Sequence, residues 1–384
     1  MTVITESRII SVVRAAEAVL SQRAGSAVRL ADPEDLGGSG RTVVVRARVT
    51  QNPVSMDRSL VIKALPADED TRAFYREVAS YKYATALPSE SRPGPQLIAW
   101  SPDVRLIVLA DLGNGRPMTA MLSGTDPVET SRAISAWGQA LGRLHTATVG
   151  GEGDFMALLR HGGAAADDVD VLAEATSSAA LSAPAVLDSI GVGLPTAIAE
   201  KLGVASALFG AGDHRAFSPS DVGPENILLN DEGVQFMDYE WGGFRDATLD
   251  IAYALVTMRA QLSMPNLVDR AELEVSMIDA WRSEVTAIWP ALRHDGELAQ
   301  KLIAARLAWV WLSTVWMLPD LDAPDSASGG YAANTHDWAL HSNDPRVIVA
   351  RWSDLASAAH RAGDTTTADF ATDVELALQR TWLS

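Results

Sequence analysis

Asp221, Asn226 and Asp238 are the residues whose types and spacing speak most directly of chemistry: an acid, an amide five positions on, and a second acid twelve beyond that. Between them ENILLNDEGVQFMDYE (225–240) sets two apolar runs, ILL and VQFM, around the turn cluster Asn230-Asp231-Glu232-Gly233, a pattern that predicts a short β-hairpin. A loop that delivers Asp221 to a substrate hydroxyl, with Asn226 and Asp238 converging from opposite ends of the hairpin, makes an oxygen-rich corner for a hard divalent ion. Mg²⁺ suits such a corner, usually with one or two carboxylates and with water and phosphate oxygens completing the shell. The chemistry implied is phosphoryl transfer, in which a protein mainly positions the reactants and offsets phosphate charge.

That chemistry also needs a cation for the phosphates. Lys63 ends the apolar run Leu60-Val61-Ile62, and Glu77, fourteen residues later on a helical stretch, is the carboxylate expected to hold its ammonium against the α- and β-phosphates of ATP. Taken singly, these residues have ordinary readings: a strand lysine is usually solvated and a helical glutamate is usually surface. Order joins them, because lysine after strand, glutamate on the next helix, Asp-x4-Asn, hairpin and Asp run in one direction.

The elements that must position these residues divide near position 115. Before it, TVVVRARV (42–49) alternates β-branched residues with Arg46 and Arg48, SLVIKAL (59–65) reads as a second strand, TRAFYREVASYKYATAL (71–87) as a helix, and QLIAWSP and VRLIVLADL as two further strands. Beyond it nearly every long periodic stretch is helical. Residues 1–115 are therefore expected to form a nucleotide-binding lobe with a helical extension over 1–30, and 116–384 a helical lobe carrying the loop 218–240. Two loosely patterned stretches, 161–200 and 319–345, are expected to cap the substrate.

At these residues the sequence resembles the aminoglycoside phosphotransferase and choline kinase-like superfamily, relatives of the protein kinases. That family's motif is H-G-D-x-x-x-x-N, a hairpin, I-D-[WFY]-E and then D-P-x-x-D-[LI]-A; the matching text is PSDVGPENILLNDEGVQFMDYEWGGFRDATLDIAYAL. The resemblance covers about residues 36–260 and implies an α+β, bilobal, protein-kinase-like fold: an N-terminal antiparallel sheet with one helix and a larger, mainly helical C-terminal lobe with a catalytic-loop hairpin. It implies Asp221 as the catalytic acid, Asn226 and Asp238 as Mg²⁺ ligands, Asp246 and Asp250 as the last element, and Asp250 as the carboxylate supporting the loop. VLADLGNGRP resembles the strand-to-hinge segment that binds adenine through backbone groups, which assigns Leu109, Ala110 and Asp111 to the nucleotide. The sequence departs from the motif at Pro219-Ser220, where the family has His-Gly; His214 lies five residues too early to replace that imidazole. Leu36-Gly37-Gly38-Ser39-Gly40 is either a place where backbone N–H groups approach phosphate or a plain turn.

Composition narrows the rest. The formal charge of -18, from 49 acidic and 31 basic residues, disfavours a broad grip on nucleic acid or anionic membrane. The absence of cysteine excludes thiolate metal sites and cysteine nucleophiles and fits a cytoplasmic location. LIAARLAWVWLSTVWMLP (302–319) approaches spanning length but contains Arg306 and has no flanking basic cluster, so a buried core helix is expected. His145 is expected to be structural, the tryptophans mostly core, with Trp241 facing the substrate side; no histidine pair has zinc spacing. Residues 1–115 carry 14 basic and 13 acidic residues, the remainder 17 and 36. An acidic C-terminal part would concentrate cationic acceptors such as aminoglycosides or amino sugars. The expected function is thus ATP- and Mg²⁺-dependent transfer of the γ-phosphoryl group to a small-molecule hydroxyl. Phosphorylation of a neutral metabolite and a catalytically silent, nucleotide-binding regulator stay open, as does the oligomeric state.

Overall fold

The computed structural model describes residues 6–38, 42–52, 58–66, 71–163, 170–317 and 338–383. In chain order these form α1 (Glu6–Ala24), β1 (Arg29–Gly37), β2 (Val43–Gln51), β3 (Ser59–Ala64), α2 (Thr71–Thr85), β4 (Leu97–Ser101), β5 (Leu106–Ala110), β6 (Arg116–Pro117), α3 (Met118–Ser123), α4 (Pro127–Thr148), α5 (Glu152–His161), α6 (Val171–Ser189) and α7 (Thr196–Ala207). There follow β7 (Arg215–Ser218), β8 (Ile227–Asn230), β9 (Gly233–Phe236), β10 (Gly243–Asp246), α8 (Thr248–Thr257), α9 (Met264–Val268), α10 (Arg270–Val285), α11 (Asp295–Met317), α12 (Pro345–Arg361) and α13 (Thr365–Trp382). The architecture is α+β, with an N-terminal antiparallel sheet and a larger helical part, as expected. Ser39 and Gly40 of the glycine-rich stretch and residues 319–337 of the second expected cap lie outside the described residues.

The chain forms two compact units, one of Met1–Arg116, Gly153–Ala166 and Leu228–Gly242, the other of the remaining segments. The first unit is built on a five-stranded sheet in the order β1-β2-β3-β5-β4, every neighbouring pair antiparallel. Alternation along β2 sends Val43, Val45 and Ala47 into the core and Arg46 and Arg48 outward. The apolar stripe of α1 (Val12, Val13, Ala16, Leu20) covers that inward face together with Leu60, Ile62, Leu106 and Val108. Because side chains alternate, the face that buries Leu60 and Ile62 against α1 turns Lys63 to the opposite side of the sheet.

Strand β1 carries no apolar alternation, since RLADPEDLG is polar and contains Pro33. It forms nonetheless as an edge strand, where proline and charge are tolerated, with register shifts against β2, Asp32 at φ 52 and cross-strand pairs Arg48–Asp32 and Arg46–Glu34. The hairpin of β8 and β9 turns at the expected tetrad: Asn230 Oδ1 accepts from Glu232 N at 2.9 Å, and Gly233 takes φ 104.

In the second unit α4 starts at an Asp126 cap, whose Oδ1 accepts from Val128 N and Glu129 N, with Pro127 in the first turn. It packs along α10 through Gly138 and Gly142, where an added Cβ would collide with the Met277 carbonyl or lie 2.7 Å from Glu284 Cβ. Helix α8 is buried along its whole length, and α11 packs against it. The apolar run of α11 is a core helix whose Arg306 donates to Glu274 Oε2 at 2.8 Å; among the described residues no helix is long and apolar enough to cross a membrane. The stretch 161–200 contributes α6 and the start of α7. Its alanine content weakens the hydrophobic pattern, while Asp170 caps α6 through Leu172 N and Ala173 N.

Candidate active site

In the first unit Lys63 gathers three carboxylates from two distant stretches of the chain. Its Nζ lies 2.8 Å from Glu77 Oε1 on α2, 2.6 Å from Asp238 Oδ1 just after β9, and 3.6 Å from Glu240 Oε2. Glu77 is fully buried, Lys63 nearly so, and the Asp238 side chain is 40% exposed. Burial works against the ammonium charge, but Asp238, Glu77 and Glu240 outweigh it and hold the Lys63 pKa well above its ordinary value. One ammonium cannot balance three carboxylates. Burial first, and Asp238 next, push Glu240 up to about 8, although Lys63 and a bond from Trp241 Nε1 oppose the rise.

Asp238 sits at φ 59, a left-handed conformation uncommon for a residue other than glycine. Its neighbours hold it there: Tyr239 stacks on Tyr81 with centroids 4.9 Å apart, and both the Tyr239 hydroxyl and Phe236 N donate to Pro93 O. Trp241, expected on the substrate side, is buried with its indole on Glu240.

The three residues assigned to adenine end β5. Leu109 is buried and pairs with Val61 and Leu97, and Ala110 N donates to Gln96 O at 2.9 Å, which commits that amide to the protein. Asp111 accepts from Ser59 Oγ at 2.7 Å and Gly113 N at 3.0 Å and lies 2.9 Å from Arg46 Nε. Burial opposes its charge, but these partners prevail and hold its pKa below the ordinary carboxylate value. Leu112 O also accepts from Asn230 Nδ2. The segment is thus hydrogen-bonded at Ala110 N, Leu112 O and Gly113 N before any ligand arrives.

In the second unit Asp221 and Asn226 meet: Asn226 Nδ2 donates to Asp221 Oδ2 at 2.9 Å and to Asp221 O at 3.1 Å. With its nitrogen committed, the amide presents its oxygen elsewhere. Asp221 Oδ1 accepts from the Tyr253 hydroxyl at 2.5 Å. Ser220, the residue before, stands at φ 77, and side chains fix it from two directions. Its N–H donates to Ser218 Oγ at 3.0 Å, which itself donates to Asp250 Oδ1 at 2.5 Å; its own hydroxyl meets Arg245, whose Nη2 reaches Asp170 Oδ2 at 2.6 Å.

Asp250 is held in turn by His145. Trp281 Nε1 can only donate, so His145 Nδ1 is the acceptor of that 3.0 Å bond and the ring proton sits on Nε2, facing Asp250 Oδ2 at 3.0 Å. His145 is structural, as expected, and the loop lacking His-Gly is braced by serine and arginine. His214 pairs with Asp246 Oδ2 at 3.3 Å instead. Sequence reasoning overlooked Glu240, Tyr253, Ser218 and Arg245; Glu240 stood in the quoted motif two residues after Asp238, whereas the other contacts arise only from folding.

Mg²⁺ would need oxygen donors, and the chemistry of the residues fits it. Asp238 offers a half-exposed carboxylate where negative charge exceeds positive, and Asn226 offers an amide oxygen. Among the described residues no group of three or more His, Cys, Asp or Glu could hold an ion.

No protein-family model and no curated protein matches the sequence. Solved structures do. A choline/ethanolamine kinase family protein from Mesorhizobium loti is 18% identical, with 93% of this chain and 98% of that one covered and a TM-score of 0.49. An amicoumacin kinase bound to AMP-PNP and Ca²⁺ is 12% identical, covering 80% and 87%, at 0.46. A mutant aminoglycoside 2′-phosphotransferase-IIIa with GDP is 10% identical, covering 91% and 98%, at 0.41. The chain is structurally similar to choline/ethanolamine kinases and aminoglycoside phosphotransferases.

Proposed function

We propose that this protein is an ATP-dependent phosphotransferase that moves the γ-phosphoryl group to a hydroxyl of a small molecule. The observation that carries this is the buried ammonium of Lys63, held at 2.8 Å by Glu77 and at 2.6 Å by Asp238. A lysine that merely filled a sheet face would not draw carboxylates from α2 and from beyond β9, nor would Asp238 adopt a strained backbone to reach it. Phosphoryl transfer requires a positioned cation, a metal-binding acid and an acid for the acceptor, with little further covalent work from the protein. Lys63 would hold the α- and β-phosphates, Asp238 and Asn226 would supply oxygen ligands to Mg²⁺, and Leu109, Ala110 and Asp111 would border the adenine. Magnesium, when bound, neutralises charge on the transferring group. Asp221 would orient the acceptor hydroxyl and take its proton as the acceptor oxygen bonds to the γ-phosphorus and the bond to ADP breaks.

An acidic excess beyond residue 115 favours a cationic acceptor such as an aminoglycoside or amino sugar over a neutral one. Nucleotide binding separates this function from its competitors at the first step. Titration with AMP-PNP is expected to show Mg²⁺-dependent binding that Asp238→Ala abolishes; unchanged Mg·nucleotide affinity in that variant would remove Asp238 from the site.

A further inference from the structure

We propose that the space enclosed by α8, α11 and α12 binds a single monatomic anion, chloride in a physiological medium. The site lies wholly within the second unit. In a part of the chain that is strongly acidic overall, five arginines gather here around two carboxylates. Asp354 Oδ1 on α12 takes both Arg259, just past α8, and Arg270 on α10. Glu274 on α10 is shared by three: Arg306 Nη2 on α11 lies 2.8 Å from its Oε2, Arg361 Nη2 on α12 lies 3.2 Å from the same oxygen, and Arg270 Nε lies 3.6 Å from Oε1. Four guanidinium groups thus divide two negative charges, and the fifth, Arg351, joins neither.

Arg351, on α12, is only 3% exposed. Its Nη1 donates to Leu340 O at 2.5 Å and its Nη2 to Ala339 O at 3.0 Å, both neutral carbonyls. Its Nε has no hydrogen-bond partner among the described residues. Burial pushes its pKa down to about 10, with Tyr253 and Glu225 opposing the fall, so the side chain is still charged at neutral pH. A buried charge without a counter-ion, on a group with a donor left over, is costly. Beside it is a cavity of about 10 Å³, the size that holds one small sphere. Leu255 and Val256 of α8, Val310 of α11 and Leu355 of α12 form its apolar wall, while Arg306 and Arg351 supply positive charge. Asp354, the carboxylate that also lines it, is engaged by Arg259 and Arg270. Phosphate and carboxylate ligands are too large for this space. A water molecule would accept from Nε but bring no charge, whereas a halide ion does both.

Bound there, the anion would join α8, α11 and α12 and steady the arginine that holds Ala339 and Leu340. The test is thermal unfolding of the full-length protein in sodium chloride, sodium bromide and sodium gluconate at equal ionic strength, so that screening is the same in all three. Chloride and bromide are expected to raise the midpoint above that in gluconate by about 2 °C, the shift for a site at about ten times its dissociation constant. Arg351→Met is expected to remove the difference. Equal midpoints in the three salts, or a halide effect undiminished in Arg351→Met, would overturn the proposal. If that variant does not fold, crystals of the wild-type protein soaked in sodium bromide are expected to show an anomalous peak between Arg306 and Arg351. Water in that place, or no bromide there, would overturn it equally.

Discussion

At the residue scale, Asp246 shows how a carboxylate can be costly to bury and still stabilise the fold. Burial opposes its charge, but hydrogen bonds from His214 and from the Thr248 hydroxyl and N–H more than compensate and hold its pKa at about 2, against an ordinary 3.8. A depressed pKa contributes stability that is fully present above the unfolded value, near pH 4, and is lost as pH falls through the folded value, near 2. The shift corresponds to about 2 kcal/mol at neutral pH. Asp246→Asn is expected to lower stability by about that amount at pH 7, measured by urea unfolding with tryptophan fluorescence, and its deficit should shrink between pH 4 and pH 2. A deficit independent of pH would mean that the stabilisation is not ionic. Lys63, Asp221 and Asn226 were legible in the sequence because their types and order carry meaning without coordinates. Tyr253 and Arg245 were not, because an apolar-looking helix and an arginine beside a glycine-rich turn gain their roles only from contacts made across the fold.

At the element scale, α4 and α10 meet through two glycines four residues apart, and the closeness of that contact is directly testable. A side chain at Gly142 would enter the space of Trp281 O and Glu284, both on α10, and would press the helix that carries His145. Gly142→Leu is expected to cost about 1–3 kcal/mol, the usual range for overpacking, whereas Gly153→Ala, where an added Cβ meets nothing within 4 Å, should be close to neutral. Thermal unfolding of the two variants side by side checks this, and equal stability would contradict the tight α4–α10 packing. Elements with strong patterning were readable: β2 from apolar alternation, β3 from its apolar run, the β8–β9 hairpin from its turn tetrad, α11 as a core helix from length and Arg306. Those that escaped had physical reasons. β1 is a polar edge strand containing proline, β7 and β10 are four residues each, too short to show a period, and α6 is alanine-rich.

At the scale of the whole molecule, the charge of -18 is distributed unevenly, near balance up to residue 115 and strongly acidic beyond it. In the Lys63 cluster part of that acidity meets a buried cation, since Asp238 and Glu240 come from the acidic stretch and close on a lysine from the balanced one. Elsewhere the excess would act as a field that raises the local concentration of cationic acceptors and weakens with salt. A neutral acceptor would gain nothing from it, and a silent nucleotide-binding regulator would need no acceptor at all. The most direct test is ADP formation from Mg·ATP by wild-type protein and by Asp221→Asn, measured across a panel of cationic and neutral hydroxyl compounds with nucleotide binding followed in parallel. Turnover with at least one compound is expected in the wild type, with a loss of about 10³-fold in the variant, in the range for removing a proton acceptor, and with nucleotide binding retained. Nucleotide binding without turnover on any compound, or wild-type turnover by Asp221→Asn, would contradict the assignment of this protein as a phosphotransferase acting through Asp221.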